Sequence, residues 1–190
     1  LKEGIERTIL SLEDWAKDLL IIFGDEMTYI DKNEKEVEKF SEQHRLTFRK
    51  YRRWWRKRLD LRRYDPAQAW EELRGVIRGS VDSIKTKNGF LNLNEYVDLP
   101  GKRTVYNVNE REEFYSLMIK PFIESLKPKF WDDQTLFHEL IKSSGFHKVY
   151  RHIFIDEVQD LTEIQLKTLL NLTLSNENCI KHFNQPYQVL

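Results

Sequence analysis

His152-Ile153-Phe154-Ile155-Asp156-Glu157-Val158-Gln159-Asp160-Leu161-Thr162 is the stretch on which the reading of this chain turns. Ile153, Phe154 and Ile155 form an unbroken apolar run with β-branched members, the pattern of a short strand buried on both faces. The run ends in two adjacent carboxylates, Asp156 and Glu157. Open α/β sheets bind ligands beyond the carboxyl ends of their strands. Paired acids there suit Mg²⁺-nucleotide chemistry, one for the metal's shell and one to orient a water. Gln159 and Asp160 add polar groups to the same loop. Thr162 and Gln165 then have capping-box spacing, which predicts a helix burying Leu166, Leu169 and Leu170.

Almost everything before residue 150 reads as helix. Ser11 is a plausible N-cap for a helix carrying Trp15, Leu19 and Ile22, with Gly24 as its stop. Asp31 to Glu42 is dense in Lys and Glu and reads as a solvated helix or linker. Asp65-Pro66 opens a helix with Ala69, Trp70, Leu73 and Ile77 on one side. A short helix begins near Asn92 or Asn94. Asn109 is the expected cap of a longer one carrying Phe114, Leu117, Met118 and Phe122, with a kink or break at Pro121. Trp131-Asp132-Asp133 begins another, ended by Gly145. Downstream, Cys179-Ile180 starts a further predicted strand.

One block is strongly basic. Leu46-Thr47-Phe48-Arg49-Lys50-Tyr51-Arg52-Arg53-Trp54-Trp55-Arg56-Lys57-Arg58 interleaves cations with aromatics. Phe48, Tyr51 and Trp55 share a helical face and read as core rather than as stacking platforms for bases. The arginines lie around the rest of the helix. They contact nucleic-acid phosphates, or else they are solvated or paired with the acidic run before them.

The 190 residues suffice for one or two domains with a sizeable core. Lys+Arg and Asp+Glu are both 31, so net charge carries no information about partners and only local clustering does. The lone Cys179 has no partner for an internal disulfide, which points to a reducing compartment, cytoplasmic or, in a eukaryote, nuclear. No apolar run approaches the ~20 residues that span a bilayer, so no membrane partner is expected. The five histidines show no HxxxH spacing, and there is no Cys pair, no GxSxG elbow and no Gly-Lys-Ser/Thr phosphate loop. Leu1 without an initiator Met, and Val189-Leu190 at the other end, lead to the expectation of a piece of a longer chain.

Phe154-Ile155-Asp156-Glu157-Val158-Gln159-Asp160-Leu161-Thr162 resembles motif II, the Walker B element, of UvrD/Rep-type superfamily 1 helicases. Thr47-Phe48 with the basic helix after it resembles that family's motif Ib. Trp70-Glu71-Glu72-Leu73 through Ile77-Arg78-Gly79-Ser80, with Leu93, Tyr96, Arg111 to Tyr115 and Trp131-Asp132-Asp133, resemble the helical insertion between those motifs. Pro186-Tyr187-Gln188-Val189-Leu190 resembles the end of motif III, although Asn184 and Gln185 stand where Gly and Asp are usual.

The resemblance implies an α/β, predominantly helical fold: a partial RecA-like P-loop NTPase core with a large helical insertion. Residues 1–64 would belong to the first RecA-like core, 65–147 to the insertion, and 148–190 to the returning core. It further implies ATP and Mg²⁺ as cofactors of the full-length parent, with none expected on this piece alone. Asp156 would hold Mg²⁺ and Glu157 would polarise the attacking water. Gln159 would join the nucleotide site, and Gln188 would sense the γ-phosphate. Thr47, Phe48, Arg52, Arg53 and Arg56 would line the path of a single strand, with DNA the expected form. The implied function is ATP-driven helicase or translocase activity in the parent, while the piece alone is expected to hydrolyse no ATP. Two other readings stand beside it: a catalytically degenerate module that binds nucleic acid or protein, and a helical scaffold with an incidental acid pair.

Overall fold

A computed structural model of the chain describes residues 11–30, 33, 36–126, 130–151, 153, 155 and 157–174. These are mostly helical, with one two-stranded sheet. Helix α1 is Leu12–Ile22. Ser11 caps it by accepting the Asp14 N–H at 3.1 Å. It ends in a Schellman turn: Gly24, at φ +82°, and Asp25 donate back to Ile21 O and Leu20 O.

Strands β1 (Thr28–Ile30) and β2 (Glu36–Glu38) pair antiparallel, Tyr29 opposite Val37. This corrects the reading of residues 31–42 as a solvated helix or linker. Glu-Val-Glu alternates with the period of two that a half-exposed strand requires, and three residues are too few to outweigh the Lys/Glu composition around them. Beyond the hairpin, Phe40 turns into the core at 2% exposure.

Helix α2 is Phe48–Trp55. Helix α3 starts at Pro66–Glu71 and continues as a π-helix through Glu72–Arg78. Asp65 caps it by accepting from the Ala67 and Gln68 N–H groups. Helix α4 is Leu93–Val97, capped by Asn92 and Glu95 in a capping box. Helix α5 (Val108–Phe114) runs through a π-turn at Tyr115–Ile119 into α6 (Lys120–Ser125).

Two readings change along α5 and α6: the cap residue, and the break offered as one outcome at Pro121. The cap is Asn107 rather than Asn109, because Glu110 three residues on completes a capping box with it. Nor does Pro121 break the helix. In an α-helix the residue-121 N–H, which Pro lacks, would meet Leu117 O. Here Lys120 N–H reaches back five residues to Tyr115 O, and Arg58 Nη2 donates to Leu117 O at 3.1 Å. The carbonyl that Pro121 leaves unpaired is thus satisfied from outside the helix.

Helix α7 is Asp133–Lys142, and α8 is Glu163–Asn171. Helix α7 stops before Gly145, which lies in the turn beyond and packs against the Phe23 backbone. The Thr162–Gln165 capping box of α8 forms as expected. Its buried face is Ile164, Gln165, Thr168 and Leu169, while Leu166 and Leu170 are half-buried, so the helix is rotated from the predicted face.

The strand expected at 152–155 is corrected as well. Ile153 and Ile155 are half-buried and lie in no strand; His152 and Phe154 are outside the described residues. Parallel pairing occurs just upstream, at Tyr150 with Thr173, and Leu174 N–H donates to Tyr150 O at 2.7 Å. A strand needs a partner at its own register, and the partner here meets Tyr150. The strand expected at Cys179-Ile180 lies outside the described residues.

Two apolar cores result. One gathers Leu46, Tyr51, Trp55, Leu73, Ile77, Tyr96, Phe114 and Phe122 from the middle of the chain. The other joins α1, Phe40 and Trp131 to α7 and α8 through Leu19, Phe137, Leu140 and Ile164. Arg78, on α3, meets Asp132, the N-cap of α7, through two 2.6 Å hydrogen bonds, and both side chains are almost fully buried. The guanidinium also lies over the Phe90 and Phe130 rings, 4.6 and 5.2 Å from their centroids.

Beside this pair His138 is buried on Ser83. The Ser83 hydroxyl faces two carbonyl acceptors, Arg78 O and Ser80 O, so its lone pair is left for His138 and the imidazole proton belongs on Nε2. Burial, reinforced by the Arg78 charge, pushes the His138 pKa down from 6.5 to about 3. The unfolded chain therefore binds a proton that the folded chain refuses. The stability associated with neutral His138 is complete above pH 6.5 and is lost as pH falls toward 3. At pH 4.5 that loss amounts to roughly 2–3 kcal/mol. His138→Gln removes the titration and retains a donor for Ser83. It is expected to shrink the difference in urea-unfolding free energy between pH 7 and pH 4.5 by about that amount; an unchanged difference refutes the assignment.

Candidate functional site

The acid-bearing turn sits where the pairing segment ends and α8 begins. Val158–Asp160 form a single 3₁₀ turn, closed by Asp160 N–H to Glu157 O at 2.9 Å. Glu157 has φ +50°, the one positive value among described non-glycine residues. A left-handed Glu is a strained conformation of the kind that clusters at functional sites. Its carboxylate accepts a hydrogen bond from Gln159 Nε2, and Glu157, Gln159 and Asp160 are all exposed. The structure thus brings Glu157 and Gln159 together. Asp156 and Gln188, predicted respectively as metal ligand and γ-phosphate sensor, lie outside the described residues.

An open cleft of about 620 Å³ adjoins the turn, and its lining includes Asp160, Leu161 and Gln165 together with Arg45, Arg74 and Asp133. Among the described residues no group of three or more His, Cys, Asp or Glu is arranged for a metal. The donor chemistry of the turn is carboxylate oxygen. That suits Mg²⁺, which uses one or two carboxylates together with waters and phosphate oxygens.

The predicted nucleic-acid residues lie on α2 and at its start. Thr47 is the helix N-cap; its hydroxyl accepts the Lys50 N–H at 3.3 Å. Phe48 is half-buried against Trp70, ring centroids 6.0 Å apart. Tyr51 and Trp55 are in the core, as their spacing implied, and burial raises the Tyr51 phenol pKa far above its usual value. Trp54 packs edge-on to Phe122 at 5.0 Å. The aromatics therefore support the helix.

The arginines are different. Arg52, Arg53 and Arg56 are exposed, and so is Arg49, which belongs to the basic block but not to the strand-path residues that the resemblance implies. The spacing 49, 52, 53, 56 could have revealed it, since those positions form one helical stripe. The four line a shallow groove of about 380 Å³ with Phe48. Among the described residues none of the four has an ion-pair partner. Arg45, Arg58, Arg63, Arg74, Arg78 and Arg103 are all paired. Among the described residues of the acidic run before the block, Glu42 pairs with Arg45 and accepts from Lys50 Nζ through its carbonyl.

Among the described residues no helix is long and apolar enough to cross a membrane. No protein-family model matches the chain, and no solved structure matches it. One curated protein, TPR and ankyrin repeat-containing protein 1 of Homo sapiens, is 29% identical over 111 residues, 56% of this chain. The matched region is 4% of that protein's length, so this chain spans a small part of the relative it matches.

Proposed function

We propose that this chain is part of a UvrD/Rep-like, ATP-dependent translocase or helicase, contributing a portion of a RecA-like core and a helical insertion. The observation that carries the reading is the acid-bearing turn in its setting. Asp156-Glu157-Val158-Gln159-Asp160 leads directly into a capped helix, and the chain returns from that helix to pair parallel with the segment it left. That order, a pairing residue, an acid-bearing turn, a capped helix and a returning residue that pairs parallel, is similar to the way P-loop folds present a Walker B acid.

Mg²⁺-ATP, when bound, supplies the phosphoryl group that is transferred to water. Asp156 is the residue that would hold the ion and its water shell. Glu157 accepts the water's proton, with its carboxylate oriented by the Gln159 amide. The exposed α2 arginines neutralise backbone phosphates of a single strand without reading bases, since Tyr51 and Trp55 are in the core.

Two observations bear on the alternatives. The curated relative is named for its repeats, but this chain has no period of about 33–34 residues, so the repeats give no function to transfer. Asn184 and Gln185, in place of the usual Gly and Asp, favour a degenerate binding module. Both the enzyme and the binding module require the arginine stripe to hold nucleic acid; a scaffold does not. Single-stranded oligonucleotide affinity is therefore expected to fall steeply with salt. Replacing Arg49, Arg52, Arg53 and Arg56 by Gln should flatten the log–log slope by about 2–3, at ~0.7 per phosphate contact. An unchanged slope, measured by fluorescence anisotropy, removes α2 from the interface.

A further inference from the structure

One element spans from α2, which carries the arginine stripe, to the start of α8, the helix that follows the acid-bearing turn. The helix from Pro66 to Arg78 presents Trp70 to α2 near its start, with ring centroids 5.2 Å from Tyr51 and 6.0 Å from Phe48. Its other end is fastened to α8. Gly79 O accepts the Ile164 N–H at 2.9 Å. The Glu163 carboxylate accepts from Ser80 Oγ at 3.1 Å, from the Val81 N–H at 3.0 Å, and from Arg103. A second fastening runs through α7: Thr162 Oγ1 donates to the buried Gln134 Oε1 at 2.7 Å, next to Asp133, which pairs with Arg74 on the same helix.

We propose that the helix Pro66–Arg78 carries phosphate occupancy of the α2 stripe to the acid-bearing turn, and that Glu163 is the positioning residue that engages it. This names the regulation of the proposed nucleotide site and rests on that reading. The helix has a physical means of switching. Its second half is π-helical, and a π-turn holds one residue more than an α-turn. Relaxation to α would shift Arg74, Arg78 and Gly79 by one position relative to Trp70, and the Glu163 clasp would follow. Interdigitated packing of this kind favours two discrete arrangements over continuous deformation.

The test uses the full-length protein and a single-stranded oligonucleotide. In wild type, saturation with the oligonucleotide changes hydrogen exchange of the Ile164 amide, whose acceptor is the Gly79 backbone and survives mutation of Glu163. In Glu163→Ala that response disappears. Oligonucleotide affinity and basal ATP turnover stay within about twofold, and stimulation of turnover falls at least about fivefold, the lower end of ordinary coupling. Glu163→Gln retains an acceptor for the Val81 N–H and restores at least half the stimulation. Full stimulation in Glu163→Ala overturns the proposal. So does an Ile164 amide indifferent to oligonucleotide in wild type, or a joint fall of basal and stimulated rates, which would make Glu163 merely structural. The two readings fail separately: wild type without ATP turnover defeats the helicase reading, whereas the Ile164 amide still decides the link.

Discussion

Arg78→Met is expected to destabilise the fold by about 3–5 kcal/mol, because it strands a buried carboxylate. Burial opposes the charge on Asp132, but the Arg78 guanidinium and hydrogen bonds from Arg78 and Thr135 outweigh it and hold the pKa below the ordinary carboxylate value. Without Arg78, two charge-assisted bonds of 2.6 Å are gone and the desolvation remains. Asp132 must then take up a proton or admit water between the two cores. Domains of this size are typically stable by only about 5–15 kcal/mol, so the variant should populate unfolded chain readily. The control is Arg52→Met on the exposed stripe, expected within about 0.5 kcal/mol of wild type.

Asp132→Asn preserves the α7 cap and removes the charge, so it completes a double-mutant cycle. Arg78→Met in that background should cost less than in wild type, because no carboxylate is left stranded. Arg78→Met alone should also lose its deficit as pH falls and Asp132 protonates. Urea midpoints at pH 7 and pH 5 measure both effects. A cost below about 1 kcal/mol for Arg78→Met at pH 7 would mean that the pair is not what fastens the two cores.

Arg78 and Asp132 also mark the limit of what the sequence discloses. Features whose determinants lie within four residues were legible: the Ser11, Asp65 and Thr162 caps, the Gly24 stop, and the core face of Tyr51 and Trp55; of the two starts open for α4, Asn92 and Asn94, the capping box with Glu95 selects Asn92. The α5 cap is Asn107 and not Asn109 because Glu110 stands three residues after Asn107, where it can close the capping box. Features joined across the chain were not legible. Arg78 and Asp132 are 54 positions apart, and Glu163 and Ser80 are 83 apart. Nothing local marks either as a partner. Pro121 reads as a helix breaker because the sequence does not reveal that Arg58 reaches the carbonyl it leaves free. The site divides in the same way. Glu157 and Gln159 are two positions apart and are legible together, whereas membership of Arg49 in the stripe with Arg52, Arg53 and Arg56 depends on which side of α2 the core leaves exposed.

Glu157→Gln in the full-length protein is expected to lower nucleic-acid-stimulated ATP turnover by at least about 100-fold, the usual range for removing a general base being 10²–10⁴. The amide has nearly the shape of the carboxylate, so packing and the left-handed turn are conserved. What is lost is the anionic oxygen proposed to take the water's proton. The Gln159 amide then faces a weaker acceptor, and the orientation of the residue loosens as well. Nucleotide binding should persist, since Mg²⁺ and phosphate contacts do not depend on this proton acceptor. Oligonucleotide affinity should be unaltered, because the α2 stripe is a separate surface. This combination, with turnover lost and both bindings kept, separates a base from a structural acid. Loss of nucleotide binding together with turnover would instead make Glu157 a metal ligand. Unchanged turnover would show the acid pair to be incidental and leave the α2 arginines as the active surface of a binding module.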